Sequence, residues 1–157
     1  MLTNDQIYQW LEEVKDPEIP VLSLVDLGVI TRVSVDTDKV SIEMTPTFVG
    51  CPALDMMQEE IRTTLKKYGV EKVELHVSFR EPWSSDKISE KGKRALNSFG
   101  ISPPTQLIDD LEVIETANCP RCGGSNTELK NAFGPTLCRS IHYCLDCREA
   151  FEQFKAL

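Results

Sequence analysis

Ile7, Trp10, Leu11 and Val14 recur at spacings of three and four, the period of a helix with one buried face. Thr3 opens that helix, because T-x-x-Q with Gln6 forms a capping box, and Pro17 and Pro20 end it. Residues 29–35 and 40–44 then alternate apolar with polar positions around Asp36, Thr37 and Asp38, a pattern that predicts a hairpin of half-buried strands. Pro46 stops the second strand. Pro52 suits the first turn of a second helix, where its missing N–H costs nothing. Leu54, Met57, Ile61, Leu65 and Tyr68 give that helix its apolar stripe, and Gly69 closes it. Val73, Leu75, Val77 and Phe79 alternate as a third strand. The order helix, strand, strand, helix, strand predicts an α+β sandwich, a small sheet covered by helices on one face. Order alone leaves open which strand lies in the middle.

A further helix is expected from residues 84–86 onward, using Ile88, Leu96 and Phe99 before Gly100. Ser102, Pro103 and Pro104 read as a linker, and the acidic stretch Asp109, Asp110, Leu111, Glu112 leads into a Cys-rich tail. These features divide the chain into residues 1–104 and 105–157. A tail of about 45 residues is too small to fold on a hydrophobic core without a staple.

Composition sharpens this picture. The 157 residues are 41% hydrophobic, enough for a core, and 17 Lys+Arg against 25 Asp+Glu leave a formal charge of -8. With no dense basic run, that charge disfavours nucleic acid and anionic membrane surfaces as partners. No apolar run approaches the roughly 20 residues that span a bilayer, and the first residues carry acids where a secretion signal is basic and then apolar. The expected location is the cytoplasm, where six cysteines point to metal ligands or reactive thiols rather than disulfides.

Five of the six cysteines follow residue 118. Cys119 and Cys122 form one C-x-x-C and Cys144 and Cys147 another, joined by a hairpin-sized spacer. Two such units predict tetrahedral thiolate coordination, most simply a closed structural Zn2+ site whose binding energy folds the tail. Rubredoxin-like iron or an iron–sulfur cluster remains compatible with the same ligands. Cys138 either lines the small core or joins an alternative cluster. With four cysteines available, His142 is expected at the surface or beside the ligands. Cys51 falls just before a helix start, where unpaired N–H groups and the helix dipole lower a thiol pKa. An activated nucleophile or soft-metal ligand and an inert buried thiol are equally open there. Asp26 interrupts an apolar stretch and either caps a turn or faces a site; Glu18, between two prolines, is equally ambiguous. No Ser-His-Asp set, phosphate-binding loop or paired carboxylates of predictable geometry appear, and His76 lacks a catalytic partner.

D16-P-E-I-P-V-L-S-L-V-D-L-G28 followed by T45-P-T-F-V-G-C51-P resembles the iron–sulfur cluster assembly domain of SufT-like and cytosolic cluster-targeting proteins. P82-W-S-S-D-K-I-S-E-K-G-K-R-A-L-N-S-F-G-I-S-P-P104 with C119-P-R-C-G123 and F133-G-P-T-L-C-R-S-I-H-Y-C-L-D-C-R-E-A-F-E-Q-F-K155 is similar to the PaaD (PaaJ) family of phenylacetate degradation. The resemblance implies an accessory factor for a multicomponent phenylacetyl-CoA epoxidase, assisting iron or iron–sulfur assembly on a protein client rather than acting as the oxygenase. It implies a functional thiol at Cys51, with Asp26, Thr47 and Cys138 around it, and metal ligands at Cys119, Cys122, Cys144 and Cys147. It also implies transient iron or a cluster as cargo. Ala150 departs from the family's R-E-P-F, which removes no ligand. A noncatalytic adaptor and a rubredoxin-like redox protein are the competing readings, and a homo-oligomer is compatible with each.

Overall fold

The computed structural model describes residues 1–37, 39–105 and 116–156. Asp38 of the expected turn and the acidic stretch at residues 109–112 lie outside the described residues. Two compact units divide the chain, Met1–Trp83 with Lys87–Ser89, and Ser84–Asp86 with Glu90–Leu157. The sequence boundary at residue 104 differs from this division, because Ile101 and Ser102 pair into the sheet of the second unit.

In the first unit α1 (Asn4–Leu11) starts on the expected capping box, with both reciprocal bonds between Thr3 and Gln6 formed. Val14 lies beyond its end and is buried all the same, its N–H donating to Leu11 O. Strands β1 (Ile30–Asp36) and β2 (Lys39–Met44) are antiparallel, whereas β3 (Val73–Val77) runs parallel to β2. The order β1-β2-β3 puts β2 in the middle. The parallel pairing follows from α2 (Leu54–Lys67), which carries the chain back across the sheet between β2 and β3. Register aligns Val33 with Ile42 and Ile42 with Leu75. Val33, Val40, Ile42 and Met44 are buried, as are Ile7 and Leu11 of α1 and Met57, Ile61 and Leu65 of α2. The alternate positions carry polar rungs, Arg32 opposite Glu43 opposite His76, and Ser34 opposite Ser41 opposite Glu74.

Two expected boundaries move. Helix α2 begins at Leu54 with Ala53 as its N-cap, so Pro52 sits in the turn before it rather than inside the first turn. Phe79 lies past the end of β3 and is exposed.

The turn of Asp26, Leu27 and Gly28 acts as a clamp. Asp26 Oδ2 accepts from Ser23 Oγ at 2.9 Å and Asp26 Oδ1 from Ser89 Oγ at 2.6 Å, while Ser89 N–H donates to Asp26 O at 2.8 Å. Leu27 O accepts the buried Trp83 indole N–H at 2.9 Å. Gly28 adopts φ +76°, and a Cβ there would stand 2.6 Å from Lys87 Cβ and 2.7 Å from Lys87 O. D-L-G is therefore an acceptor, an acceptor and a gap, each matched to one residue of the segment it holds.

The second unit contains α3 (Glu90–Phe99), β4 (Ile101–Ser102), β5 (Thr127–Asn131), β6 (Arg139–Cys144) and β7 (Ala150–Phe154), with sheet order β4-β7-β6-β5. Ser102, expected in the linker, pairs with Gln153 and is buried, which brings α3 and β4 into this unit. Helix α3 starts at Glu90, later than the 84–86 start expected from sequence, and Phe99 at its end is exposed. The buried residues of β6 and β7 include Ser140, His142 and Gln153 beside Cys144 and Phe151. His142 is thus not at the surface. It is fully buried, stacks on Phe151 with ring centroids 5.6 Å apart, and its Nε2 bonds Ser140 Oγ at 3.0 Å. Burial pushes its pKa down, against a smaller opposing effect of the Gln153 side chain.

Gly28→Ala combines left-handed strain with a clash against backbone. It should lower unfolding free energy by about 2–4 kcal/mol, measured by urea denaturation of the full chain; an unchanged midpoint would dismiss the clamp.

Candidate metal centre and thiols

The ligand atoms of Cys119, Cys122, Cys144 and Cys147 all lie within 4.8 Å of one another. Cys119 Sγ is 3.6 Å from Cys147 Sγ, and Cys122 Sγ is 3.6 Å from Cys144 Sγ. A tetrahedral ion with Zn–S of about 2.3 Å requires sulfur–sulfur edges of about 3.8 Å, so the four donors fit such an ion.

Both pairs sit on knuckles of the same construction. Gly123 N–H donates to Cys119 O and Cys119 N–H to Gly124 O; Arg148 N–H donates to Cys144 O and Cys144 N–H to Glu149 O. The residue after each second cysteine is left-handed, Gly123 at φ +75° and Arg148 at φ +62°. Glycine adopts this conformation freely, whereas arginine is strained in it. The knuckles are tied together by an Arg121–Glu149 ion pair and by Asn126 Nδ2 donating to Asp146 Oδ1 at 2.9 Å. Gly124 makes room for this arrangement, since a Cβ there would lie 2.7 Å from Asp146 Oδ2 and 3.3 Å from Cys122 Sγ.

Crowding splits the acidities of these thiols. Burial opposes ionisation of Cys119, but N–H groups of Cys122 and Arg121 and the thiols of Cys147 and Cys122 outweigh it and bring the pKa down to about 7. Burial and the Cys119 and Cys144 sulfurs push Cys147 up to about 12. An incoming cation displaces the protons that the thiols still hold.

Cys51 does not carry the lowered pKa expected of a helix start. Desolvation of its half-buried sulfur, together with the charges of Asp16 and Glu18, outweighs the N–H groups of Ala53 and Leu54 that face it, and its pKa is raised. The signal in the chain was D-P-E: Asp16 Oδ1 caps the turn by accepting from Glu18 and Ile19 N–H at 2.8 and 2.9 Å, which holds both acids near Cys51. Thr47, earlier in the same loop, is half-buried. Asp26 is engaged in the clamp on Ser23 and Ser89.

Cys138 lies in the second unit and Cys51 in the first. The Cys138 sulfur is half-buried, 3.0 Å from Thr136 Oγ1. Arg139 Nε donates to that same oxygen at 3.1 Å, and in the contact with sulfur either the Thr136 hydroxyl or the Cys138 thiol can be the donor. Lys155, whose N–H donates to Cys138 O, is buried and carries its ammonium above the Phe133 ring at 4.6 Å. Burial lowers the Lys155 pKa, and Cys138 opposes that shift. Neither Thr136 nor Lys155 stands out in the sequence; the T-x-C-R spacing carries the signal for the first, while the second is brought in only by strand pairing.

Because its pKa is raised, Cys51 is a thiol at neutral pH, and its thiolate grows in only as pH climbs beyond the ordinary thiol range. Iodoacetamide labelling of Cys51, followed by peptide mass spectrometry, should be slower than for a free cysteine at about pH 7.5 and still rising at about pH 9. Glu18→Gln should shift the curve to lower pH. A plateau below about pH 8 in the unaltered chain contradicts this electrostatic account.

Among the described residues no helix is long and apolar enough to cross a membrane. Residues 104–155 match the PaaD zinc beta ribbon domain, and residues 4–77 match the iron-sulfur cluster assembly protein family. A protein of Escherichia coli (strain K12), named as a subunit of 1,2-phenylacetyl-CoA epoxidase, is 33% identical over 152 residues, covering 97% of this chain and 92% of its own. An Fe-S protein maturation auxiliary factor of Porphyromonas gingivalis is 38% identical over 91 residues, 57% of this chain and 86% of that one. The crystal structure of a DUF59 domain from Bacillus anthracis superposes with a TM-score of 0.55 at 32% identity, covering 59% of this chain and 89% of that chain. An assembly-type α+β domain followed by four cysteines on paired knuckles, matched along nearly the whole length of the E. coli relative, makes this chain a member of the PaaD family.

Proposed function

We propose that the protein is an accessory factor that assists iron or iron–sulfur assembly for a phenylacetyl-CoA epoxidase and is not itself an oxygenase. The names of its relatives support an assembly role, and the carrying observation is the surroundings of Cys51. One soft, half-buried sulfur lies in the field of the Asp16 and Glu18 carboxylates, an acidic setting that attracts a cation such as ferrous iron in transit. A raised thiol pKa fits the same task, since the sulfur stays protonated until a cation displaces the proton. Asp26 holds the clamp on Ser23 and Ser89, and Thr47 lies between the clamp and Cys51 in the chain.

Zinc is the ion proposed for Cys119, Cys122, Cys144 and Cys147, because four thiolates with tetrahedral edges and no open position suit a structural role. Bound there, it supplies cohesion and no chemistry. The ribbon at residues 105–157 is the proposed client-binding part, and the assembly-like part lies within residues 1–104. The cytoplasm is the proposed location, a compartment that keeps such thiols reduced and available to metal.

Protein purified without oxygen should contain stoichiometric zinc and be colourless at the four-cysteine site. Cys51→Ser should abolish reconstitution of epoxidase activity in an anaerobic maturation assay, with zinc content unchanged and stability altered by less than about 1 kcal/mol. Full maturation by the variant would refute the role of Cys51. Iron in place of zinc, seen by elemental analysis, would favour the rubredoxin-like reading.

Chelation should release the zinc and unfold the second unit, since structural zinc contributes on the order of 10 kcal/mol to small modules. The helical circular-dichroism signal of the first unit should persist; survival of a folded ribbon without metal would argue that the ion is not its staple.

A further inference from the structure

An open cavity of about 720 Å³ lies wholly in the first unit, with Tyr8, Arg32, Glu43, Arg80, Glu81 and Lys87 on its wall. Its size is that of a small-molecule site. Some cations of this acidic chain are paired with carboxylates: Lys39 with Glu74 at 3.0 Å, Lys67 with Glu13 at 3.0 Å, and Arg139 with Glu152 at 2.6 Å. Arg32, Arg80 and Lys87 differ. Two carboxylates line the same cavity, yet among the described residues none of the three cations has an acid within 4.0 Å.

The three cations come from separate places that the fold brings together. Arg32 stands at the β1 bulge, and Arg80 follows β3 in a turn where its N–H reaches Ser78 Oγ. Lys87 is held against the backbone of Gly28, the contact that forbids a side chain there. The D-L-G clamp, with Asp26 fixed to Ser89 and Leu27 to Trp83, thus sets one wall of the cavity. Glu43 faces Arg32 across the strands in register, so a carboxylate is near at the backbone level while the guanidinium remains unpaired.

We propose that this cavity binds a compact oxyanion, a phosphate or carboxylate group of a small molecule, on Arg32, Arg80 and Lys87. Guanidinium groups present paired N–H donors that match the oxygens of either group, and lysine adds a point charge. A polymeric anion is disfavoured, because beyond this concavity the chain's charge of -8 repels it, whereas a small anion feels mainly the nearby cations. Glu43 and Glu81 also line the cavity, so repulsion limits the negative charge a ligand can carry there. This site uses none of the six cysteines and stands independently of the role proposed for Cys51.

The test is amide NMR of the full chain, titrated at constant ionic strength with sodium pyrophosphate and, separately, with sodium citrate. Saturable shifts are expected at Gly28, Arg32, Thr45, Ser78 and Lys87 with at least one of the two. Preference for pyrophosphate identifies a phosphate-bearing ligand, and preference for citrate a carboxylate-bearing one. Arg32→Gln and Arg80→Gln should each weaken binding about ten-fold, the cost of one charge-assisted contact, while Lys66→Gln, outside this cavity, should leave it unchanged. Because Arg32 and Arg80 are exposed, unaltered spectra of the free variants establish that they fold. Absence of saturable shifts with both anions, or equal binding by the Arg32→Gln and Arg80→Gln variants and the unaltered chain, overturns the proposal.

Discussion

The convergence of four sulfurs within 4.8 Å is the constraint on which the second unit depends. Among the described residues its buried apolar side chains include Leu96, Ile101 and Phe154, while Cys119 and Cys144 are themselves core residues, clustered with Ala117 and Phe151. The remaining buried positions include Ser140, His142 and Gln153, which contribute little hydrophobic cohesion and demand fixed geometry. A sheet of this kind needs its ends located by something stronger than burial. The paired knuckles supply it, because each one fixes the backbone turn around a ligand pair and the Arg121–Glu149 and Asn126–Asp146 contacts align one with the other.

Backbone N–H groups approach both Cys119 and Cys51, yet the two thiols respond in opposite directions. At Cys119 burial is overcome by two N–H groups and by neighbouring thiols that stabilise one sulfur anion. At Cys51 desolvation and the fields of Asp16 and Glu18 prevail over two N–H groups. A helix start is therefore insufficient to activate a cysteine; the sign depends on what else faces the sulfur. In the role proposed for Cys51 the acidic surroundings are an asset, since they would attract a cation while holding the thiol protonated in its absence.

The clamp at Asp26, Leu27 and Gly28 shows how a short motif acquires its composition. Only an acid can accept from Ser23 and Ser89 through its two side-chain oxygens, and only a glycine leaves space for the Lys87 backbone. Trp83 lies 56 residues from Leu27 in the chain and Ser89 lies 63 from Asp26. D-L-G, read locally, suggested a turn or a site acid; in the fold it fastens two stretches that resemble different sequence signatures.

Periodicity was sufficient to locate α1, α2 and the first three strands, because one buried face leaves a regular imprint on neighbouring positions. Paired C-x-x-C spacing likewise marked four sulfurs that the fold brings within 4.8 Å of one another, since a knuckle is built from consecutive residues. The chain alone did not show that β2 is central, that Ser102 joins the second sheet, or that His142 is sealed inside. Nor did it disclose the acids beside Cys51 or the unpaired cations around Gly28. Pairing partners, desolvation and electric fields are set by groups distant in sequence and adjacent in space, so they came into being only with the tertiary structure.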